Sequence, residues 1–108
     1  MLTEAKLVET LMSKESIIVA GFIETQPGRR DLALSKSLEV ISQARRTAGC
    51  SAFVVAADPL EVDRLVTFEI WDSAKALADF RGGGPDDDQA ADFKAIHVHD
   101  YIAARKDA

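Results

Sequence analysis

Residues 64–73 read Arg-Leu-Val-Thr-Phe-Glu-Ile-Trp-Asp-Ser, and this stretch decides the fold. Apolar side chains occupy most positions of residues 65–71 instead of every second one, which is typical of a strand covered on both faces. The chain's one tryptophan, Trp71, lies near the end of this strand. Ser73 is a residue type that caps helix N-termini, so a helix is predicted over residues 74–81.

Two more segments, residues 16–25 and 52–57, have the same apolar pattern on both faces. An antiparallel sheet buried on both sides needs helices on one face and a further layer on the other. The pattern therefore predicts that a second copy of the chain covers the open side of the sheet.

Helical periodicity marks residues 30–47, in which an apolar stripe is expected to be buried. Its members are Leu34, Leu38, Ile41 and Ala44, with the stem of Arg45 as an alternative to Ala44. Gly49 is expected to end this helix, because glycine accepts the left-handed conformation found at helix ends.

Three flanking segments complete the chain. Residues 1–14 predict an amphipathic helix, residues 87–95 a short helix with acidic residues at its start, and residues 96–103 a closing strand. The run of glycines before Pro85 follows a helix, whereas a phosphate-binding glycine loop follows a strand, so no nucleotide site is predicted.

The Glu-x-Trp-x-Ser core of residues 69–73, together with the Arg-Arg-Thr-Ala-Gly-Cys turn of residues 45–50, resembles the antibiotic biosynthesis monooxygenase family. The resemblance implies an α+β fold, with a ferredoxin-like antiparallel sheet, helices on one face and a dimeric α/β barrel. The family-like domain would span residues 16–108, and residues 1–15 would be an N-terminal helical extension. Homodimers form through the sheet in that family, which agrees with the two-sided strands.

The implied activity is cofactor-independent monooxygenation of a small aromatic, quinone or polyketide-like compound. The alternative is a non-catalytic, ligand-binding or stress-associated protein with the same fold. Two departures from the family weigh on the choice. The chain contains no asparagine, which makes haem degradation a poor fit, and Phe80 stands where many members carry a histidine.

His97 and His99 are the candidate catalytic bases, because the unperturbed pKa of histidine lies near neutrality. Strand alternation places both on one face together with Tyr101. A metal site would need a third or fourth ligand, and none is predicted. The hypothesis locates these histidines beside an aromatic pocket, facing the helices.

Trp71 completes the predicted catalytic set, since its ring could stack on a ligand while its N–H orients an oxygen. The predicted substrate-binding residues are aromatic: Phe22, Phe53, Phe68, Phe80 and Tyr101. Glu69 lies on the face of Trp71 two residues earlier, and an ion pair with Arg64, Arg81 or a histidine is expected for it.

Composition limits the partners. Thirteen basic and eighteen acidic residues give a net charge of -5, which disfavours nucleic acid and anionic membrane surfaces. The chain has no run of about 18 apolar residues, so no membrane span is predicted. The lone Cys50 and the lack of a signal-like N-terminus suggest the cytoplasm.

Overall fold

The structure, a computed structural model, describes residues 15–82 and 90–106, which form one antiparallel sheet and two helices. The elements in chain order are β1 (Glu15–Thr25), α1 (Arg30–Arg45), β2 (Cys50–Ala57), β3 (Arg64–Trp71), α2 (Ala74–Arg81) and β4 (Phe93–Ala104). The four strands lie in the order β2-β3-β1-β4. This is the ferredoxin-like arrangement, and the predicted fold class is confirmed.

The hydrophobic core lies between the helices and one face of the sheet. Val19 of β1 is 1% exposed and clusters with Trp71, Phe53, Ile41 and Leu77. Successive strand residues point to opposite faces, so the residues of β1 that alternate with Val19 define the other side. We call the two sides the helix face and the open face.

The open face is apolar but carries no layer within the described chain. Its large side chains remain substantially exposed: Val54 42%, Val66 39%, Phe68 42% and Tyr101 52%. Sequence alternation alone predicted apolar residues on both sides of these strands. Only one side is covered by the helices of the same chain.

Helix α1 differs from its prediction in which residues it buries. Ala33, Ile41 and Ala44 are buried, whereas Leu38 is 60% exposed. The predicted stripe and the observed one are adjacent ridges of the same helix, and the small Ala33 and Ala44 let α1 approach the sheet closely. The prediction for Leu38 was therefore wrong, and that for Ile41 and Ala44 was right.

Helix α2 begins where predicted, because the Ser73 hydroxyl accepts a hydrogen bond of 3.1 Å from the backbone N–H of Ala76. Gly49 also has the expected positive φ, 88°, in the turn between α1 and β2.

The closing strand is longer than predicted. β4 begins at Phe93, so residues 93–95 pair with β1 instead of continuing a helix. Ladder pairing with Glu24 and Thr25 outweighs the local helical preference there. The predicted helix of residues 1–14 lies outside the described residues, as do residues 87–89 of the predicted helix 87–95.

Candidate functional site

A cleft of about 1060 Å³ lies between the helix face of the sheet and the two helices. Its walls are mainly apolar, and its size is just above the usual upper limit for small-molecule sites. The residues that line it include Val19, Phe53, Val55, Leu65, Phe80 and Val98. We refer to it below as the cleft.

One row of side chains across the sheet brings polar groups into this apolar floor. Phe53 of β2 pairs with Glu69 of β3, Glu69 pairs with Val19 of β1, and Val19 pairs with Asp100 of β4. Phe53, Glu69 and Asp100 all line the cleft. A carboxylate therefore lies near the middle of a largely apolar surface.

Glu69 is held by the buried tryptophan. The indole Nε1–H of Trp71 donates a hydrogen bond of 2.8 Å to Glu69 Oε1. Trp71 itself is 0% exposed, and its ring packs 5.1 Å from that of Phe80. Because the indole ring is buried and its one donor is satisfied, the environment fixes the Glu69 carboxylate in position.

Burial raises the pKa of Glu69 above its ordinary value, and the Trp71 hydrogen bond and the charge of Arg81 oppose that rise only in part. Desolvation disfavours the charged form of a carboxyl group. Glu69 is thus a stronger base, when ionised, than a solvated glutamate.

The nearest cation is already engaged. Arg81 at the end of α2 donates two hydrogen bonds, of 2.7 and 2.8 Å, to the Asp100 carboxylate. These bonds lower the pKa of Asp100 and raise that of Arg81. Such a two-bonded pair ties α2 to β4 at the side of the cleft.

Cys50 is a further titratable group close enough to be affected by the charge of Glu69. Burial raises the pKa of its thiol, and the negative charges of Glu69 and Asp72 raise it further. The thiol is therefore not an activated nucleophile.

Ion pairs also fix α1 beside the start of β4. The buried Asp92 carboxylate accepts hydrogen bonds from Arg29 Nε at 3.0 Å and from Lys36 Nζ at 2.9 Å. Asp92 immediately precedes Phe93, another residue of the cleft wall. These contacts hold the position of α1 over the sheet.

The predicted site residues divide between the two faces. Phe53 and Phe80 line the cleft. His97, Tyr101 and Phe22 are on the open face, where His97 pairs with Phe22 and Tyr101 with Ile18. Phe68 is there as well, opposite Ala20 of β1. Among the described residues, the cleft is lined by His99 but not by Trp71 or His97, so the structure does not bring Trp71 and both histidines together in one pocket.

His99 shares the open face with His97 and Tyr101, as strand alternation predicted. It is also one of the residues that line the cleft, next to Val98 and Asp100. Its ladder partner is Ala20, on the open side. The histidines thus lie on a common face, but that face is opposite to Trp71.

A cluster of aromatic and charged side chains lies at one end of the open face. We call it the open-face cluster, and its members are Phe22, Glu24, Arg64 and His97. The His97 and Phe22 rings stack at 4.6 Å, and the guanidinium of Arg64 lies 4.0 Å above the Phe22 ring. Glu24 lies 3.6 Å from His97 Nε2 and 3.8 Å from Arg64. Within the described residues, no three His, Cys, Asp or Glu side chains are grouped to hold a metal ion.

Sequence reasoning did not identify the link between Glu69 and Trp71. It placed both on one strand face but expected an ion pair for the carboxylate. A glutamate two residues before a tryptophan, inside an otherwise apolar strand, is the signal that could have indicated it. An indole N–H buried in such a strand needs an acceptor, and the nearest one on that face is Glu69.

Comparison with known proteins places the chain in a family. Residues 16–98 match the antibiotic biosynthesis monooxygenase family. This match covers most of the chain, which therefore belongs to that family. A search of curated proteins finds no match. Among the helices of the described residues, none has the length and apolar character needed to span a membrane.

Solved structures agree with the fold. A protein described as a candidate antibiotic biosynthesis monooxygenase from Chloroflexus aurantiacus is 21% identical, with a TM-score of 0.65 and coverage of 87% of this chain and 97% of the other. One described in the same terms from Deinococcus radiodurans is 13% identical, with a TM-score of 0.73 and coverage of 85% and 96%. A protein from Shewanella oneidensis is 17% identical, with a TM-score of 0.74 and coverage of 84% and 92%.

Proposed function

We propose that the cleft binds a small aromatic, quinone or polyketide-like compound and that the protein oxygenates it with dioxygen, without a dedicated cofactor. The observation that carries this proposal is a partly buried carboxylate in an apolar cleft of about 1060 Å³, in a member of a monooxygenase family. A flat compound can lie between the aromatic wall at Phe53 and Phe80 and the aliphatic floor at Val19.

The chemistry needs only the substrate, dioxygen and a base. An activated methylene loses a proton to the base, and the electron pair of that C–H bond remains on the substrate as a delocalised anion. This anion reduces dioxygen and combines with it to give a hydroperoxide. Loss of the second C–H proton and cleavage of the O–O bond then give a carbonyl group and water, so one oxygen atom enters the product.

We propose further that the protein is a homodimer through its open face. The side chains of Val54, Val66 and Phe68, which are exposed in the monomer, would be buried in such a dimer, and burial of apolar surface drives association. Phe22, Phe68 and Tyr101 would then contribute to the subunit interface more than to substrate binding. The lone Cys50 fits a cytoplasmic location.

The catalytic roles of His97, His99 and Trp71 stay predictions. His97 lies on the open face and Trp71 is fully buried, so either would have to act through another group, whereas His99 borders the cleft. Domain boundaries at residues 1–15 and 16–108 also stay a proposal.

A second candidate is a ligand-binding protein without catalysis. Phe80, which stands where many family members have a histidine, packs on Trp71 and Phe53 and presents no proton-transfer group to the cleft. In this alternative the cleft would hold an aromatic compound and return it unchanged.

The test uses anthrone as probe, because its methylene group is acidified by the adjoining rings. We expect oxygen uptake above the buffer rate and, under oxygen-18 gas, one labelled atom in the anthraquinone product. Saturable binding of anthraquinone without oxygen uptake would favour the binding protein. Neither binding nor uptake would contradict both candidates.

Two neighbouring residues of α1 provide a matched control for the location. Ser37 lines the cleft, whereas Leu38 is 60% exposed on the outer side. Ser37→Trp should fill the cleft and abolish oxygen uptake, and Leu38→Trp should leave it unchanged. Equal loss in both variants would contradict the assignment of the cleft.

A further inference from the structure

Glu69 has the position expected of a group that acts on a bound compound. It lies in the row between Phe53 and Val19 on the cleft floor, and it is partly buried. Its side chain therefore meets a ligand against the apolar floor, where competing water would be displaced when the cleft is filled.

The two carboxylate oxygens of Glu69 have different roles. Oε1 accepts the 2.8 Å hydrogen bond from the buried Trp71 indole. In the part of the chain that the structure describes, no hydrogen bond reaches Oε2. One oxygen is thus anchored, and the other is available to a ligand in the cleft.

Glu69 has no ion pair within the described residues, although the charge of Arg81 acts on it from a distance. Arg81 makes both of its hydrogen bonds from NH1 and NH2 to Asp100. The other ionisable groups that line the cleft in the described residues are the acidic Asp79 and Asp100 and the imidazole of His99. Cys50 nearby is a thiol whose pKa is raised. On the α1 side the polar residues of the wall, Ser37, Gln43 and Thr47, are uncharged.

We propose that Glu69 is the catalytic proton acceptor of the cleft, with Oε2 taking the proton from an activated C–H or phenolic O–H group, and that Trp71 is its positioning residue. This inference rests on the proposed function, and it assigns to Glu69 the role that the sequence suggested for His97 or His99. The raised pKa of Glu69 agrees with the assignment, since it makes the carboxylate a better base.

The proton balance is closed within the site. The Glu69 carboxylate becomes a carboxylic acid when it takes the substrate proton, and the electron pair of the broken bond stays on the substrate. After the substrate anion has combined with dioxygen, the peroxide anion takes the proton back from Oε2. Glu69 is thereby returned to its ionised form, and no further reductant is needed.

The test separates proton abstraction from oxygenation by excluding air. Anthrone is incubated anaerobically with the protein in heavy water, and loss of its methylene proton signal is followed by NMR. We expect the wild type to accelerate exchange and Glu69→Gln to lower that acceleration at least about 100-fold, the usual contribution of a positioned base. Glutamine can still accept the Trp71 hydrogen bond, and Glu39→Gln, on the outer surface of α1, is the matched control with unchanged exchange.

Trp71→Phe tests the positioning role through the pH dependence of exchange, which should not change if Trp71 were only structural. Because the indole hydrogen bond lowers the pKa of Glu69, its loss should shift the pH dependence of exchange to higher pH. Exchange by Glu69→Gln at the wild-type rate, a wild type that does not accelerate exchange, or an unmoved pH profile in Trp71→Phe would each overturn the proposal.

The same variants distinguish this inference from the proposed function. Exchange that depends on Glu69, without oxygen uptake in air, would refute monooxygenation and retain Glu69 as the base. Oxygen uptake that persists in Glu69→Gln would retain monooxygenation and refute Glu69. Circular dichroism of each variant confirms that the fold is intact.

Discussion

The two faces of strand β3 differ far more in the structure than in the sequence. On the helix face Leu65, Thr67 and Trp71 are 1%, 7% and 0% exposed, whereas Val66 and Phe68 on the open face are 39% and 42% exposed. Both sets are dominated by large side chains. Similar composition therefore serves two different purposes: a core with a cleft on one side and a surface suited to association on the other.

The carboxylates of the two faces differ in the same way. Glu24, in the open-face cluster, lies within 4 Å of Arg64 and His97, both of which can carry positive charge. Glu69, in the cleft, is bonded to the neutral indole of Trp71. Desolvation in the apolar cleft raises the pKa of Glu69, which makes its ionised carboxylate a stronger base. The comparison thus points to Glu69 as the chemically active group.

The largest effect should come from removing the centre of the helix face. Trp71→Ala should lower the free energy of unfolding by about 3–5 kcal/mol, because it leaves a large cavity in the core. Tyr101→Ala on the open face, where the side chain is 52% exposed, should cost much less in the monomer. Denaturant unfolding of both variants at low protein concentration makes the comparison, and equal losses would contradict the difference between the faces.

Charge on the open face should weaken the proposed dimer. Val66→Lys should raise the Kd of dimerisation at least about 100-fold, since an unpaired charge in an apolar interface costs several kcal/mol. Val62→Lys, in the β2–β3 loop where the side chain is 73% exposed, is the control. Sedimentation of the two variants measures the effect. A wild type that is already monomeric at micromolar concentration would exclude the proposed interface.

A smaller effect concerns pH and stability. The pKa of Glu69 in the folded protein is raised above the ordinary value of 4.5, so the folded state holds the proton more tightly than the unfolded state. The stability that this provides is present below the unfolded pKa and is lost as pH rises through the folded pKa. Glu69→Gln should lack this loss, so its stability relative to wild type should increase between acidic and neutral pH. The measurement is the free energy of unfolding by denaturant as a function of pH. Parallel curves for wild type and Glu69→Gln would contradict the raised pKa of Glu69.

The smallest effect is expected from the histidines. His97→Ala and His99→Ala should each change anthrone turnover less than about twofold, because Glu69 is the proposed base and strand alternation places both histidines on the open face, although His99 also borders the cleft. Steady-state oxygen uptake provides the measurement. A large loss in either variant would support the original assignment of a histidine base.

Much of the fold followed from the sequence because its signals are local. Ser73 marked the start of α2, and Gly49 marked the turn after α1. Strand alternation correctly grouped His97, His99 and Tyr101. Alternation could not show which face the helices cover. It only divides the residues of a strand into two sets, and in β1 both sets are apolar.

The details of packing were less predictable for the same reason. Leu38 belongs to an apolar stripe by spacing, yet tertiary packing selected the neighbouring ridge with Ala33 and Ala44. Trp71 was predicted to touch the ligand, and in the structure its ring is fully buried and its indole N–H donates to Glu69. A sequence shows that an indole needs an acceptor, whereas only three-dimensional packing shows which of its atoms reach the cleft.

The most direct test of the two-face account is methyl NMR of labelled protein titrated with anthraquinone. Val54 and Val55 are adjacent on β2, but Val55 lines the cleft while Val54 is 42% exposed on the open face. We predict saturable shifts of the Val55, Val19 and Val98 methyl signals, with Val54 and Val66 unchanged. Shifts confined to Val54 and Val66 would place the ligand on the open face and contradict the central claim.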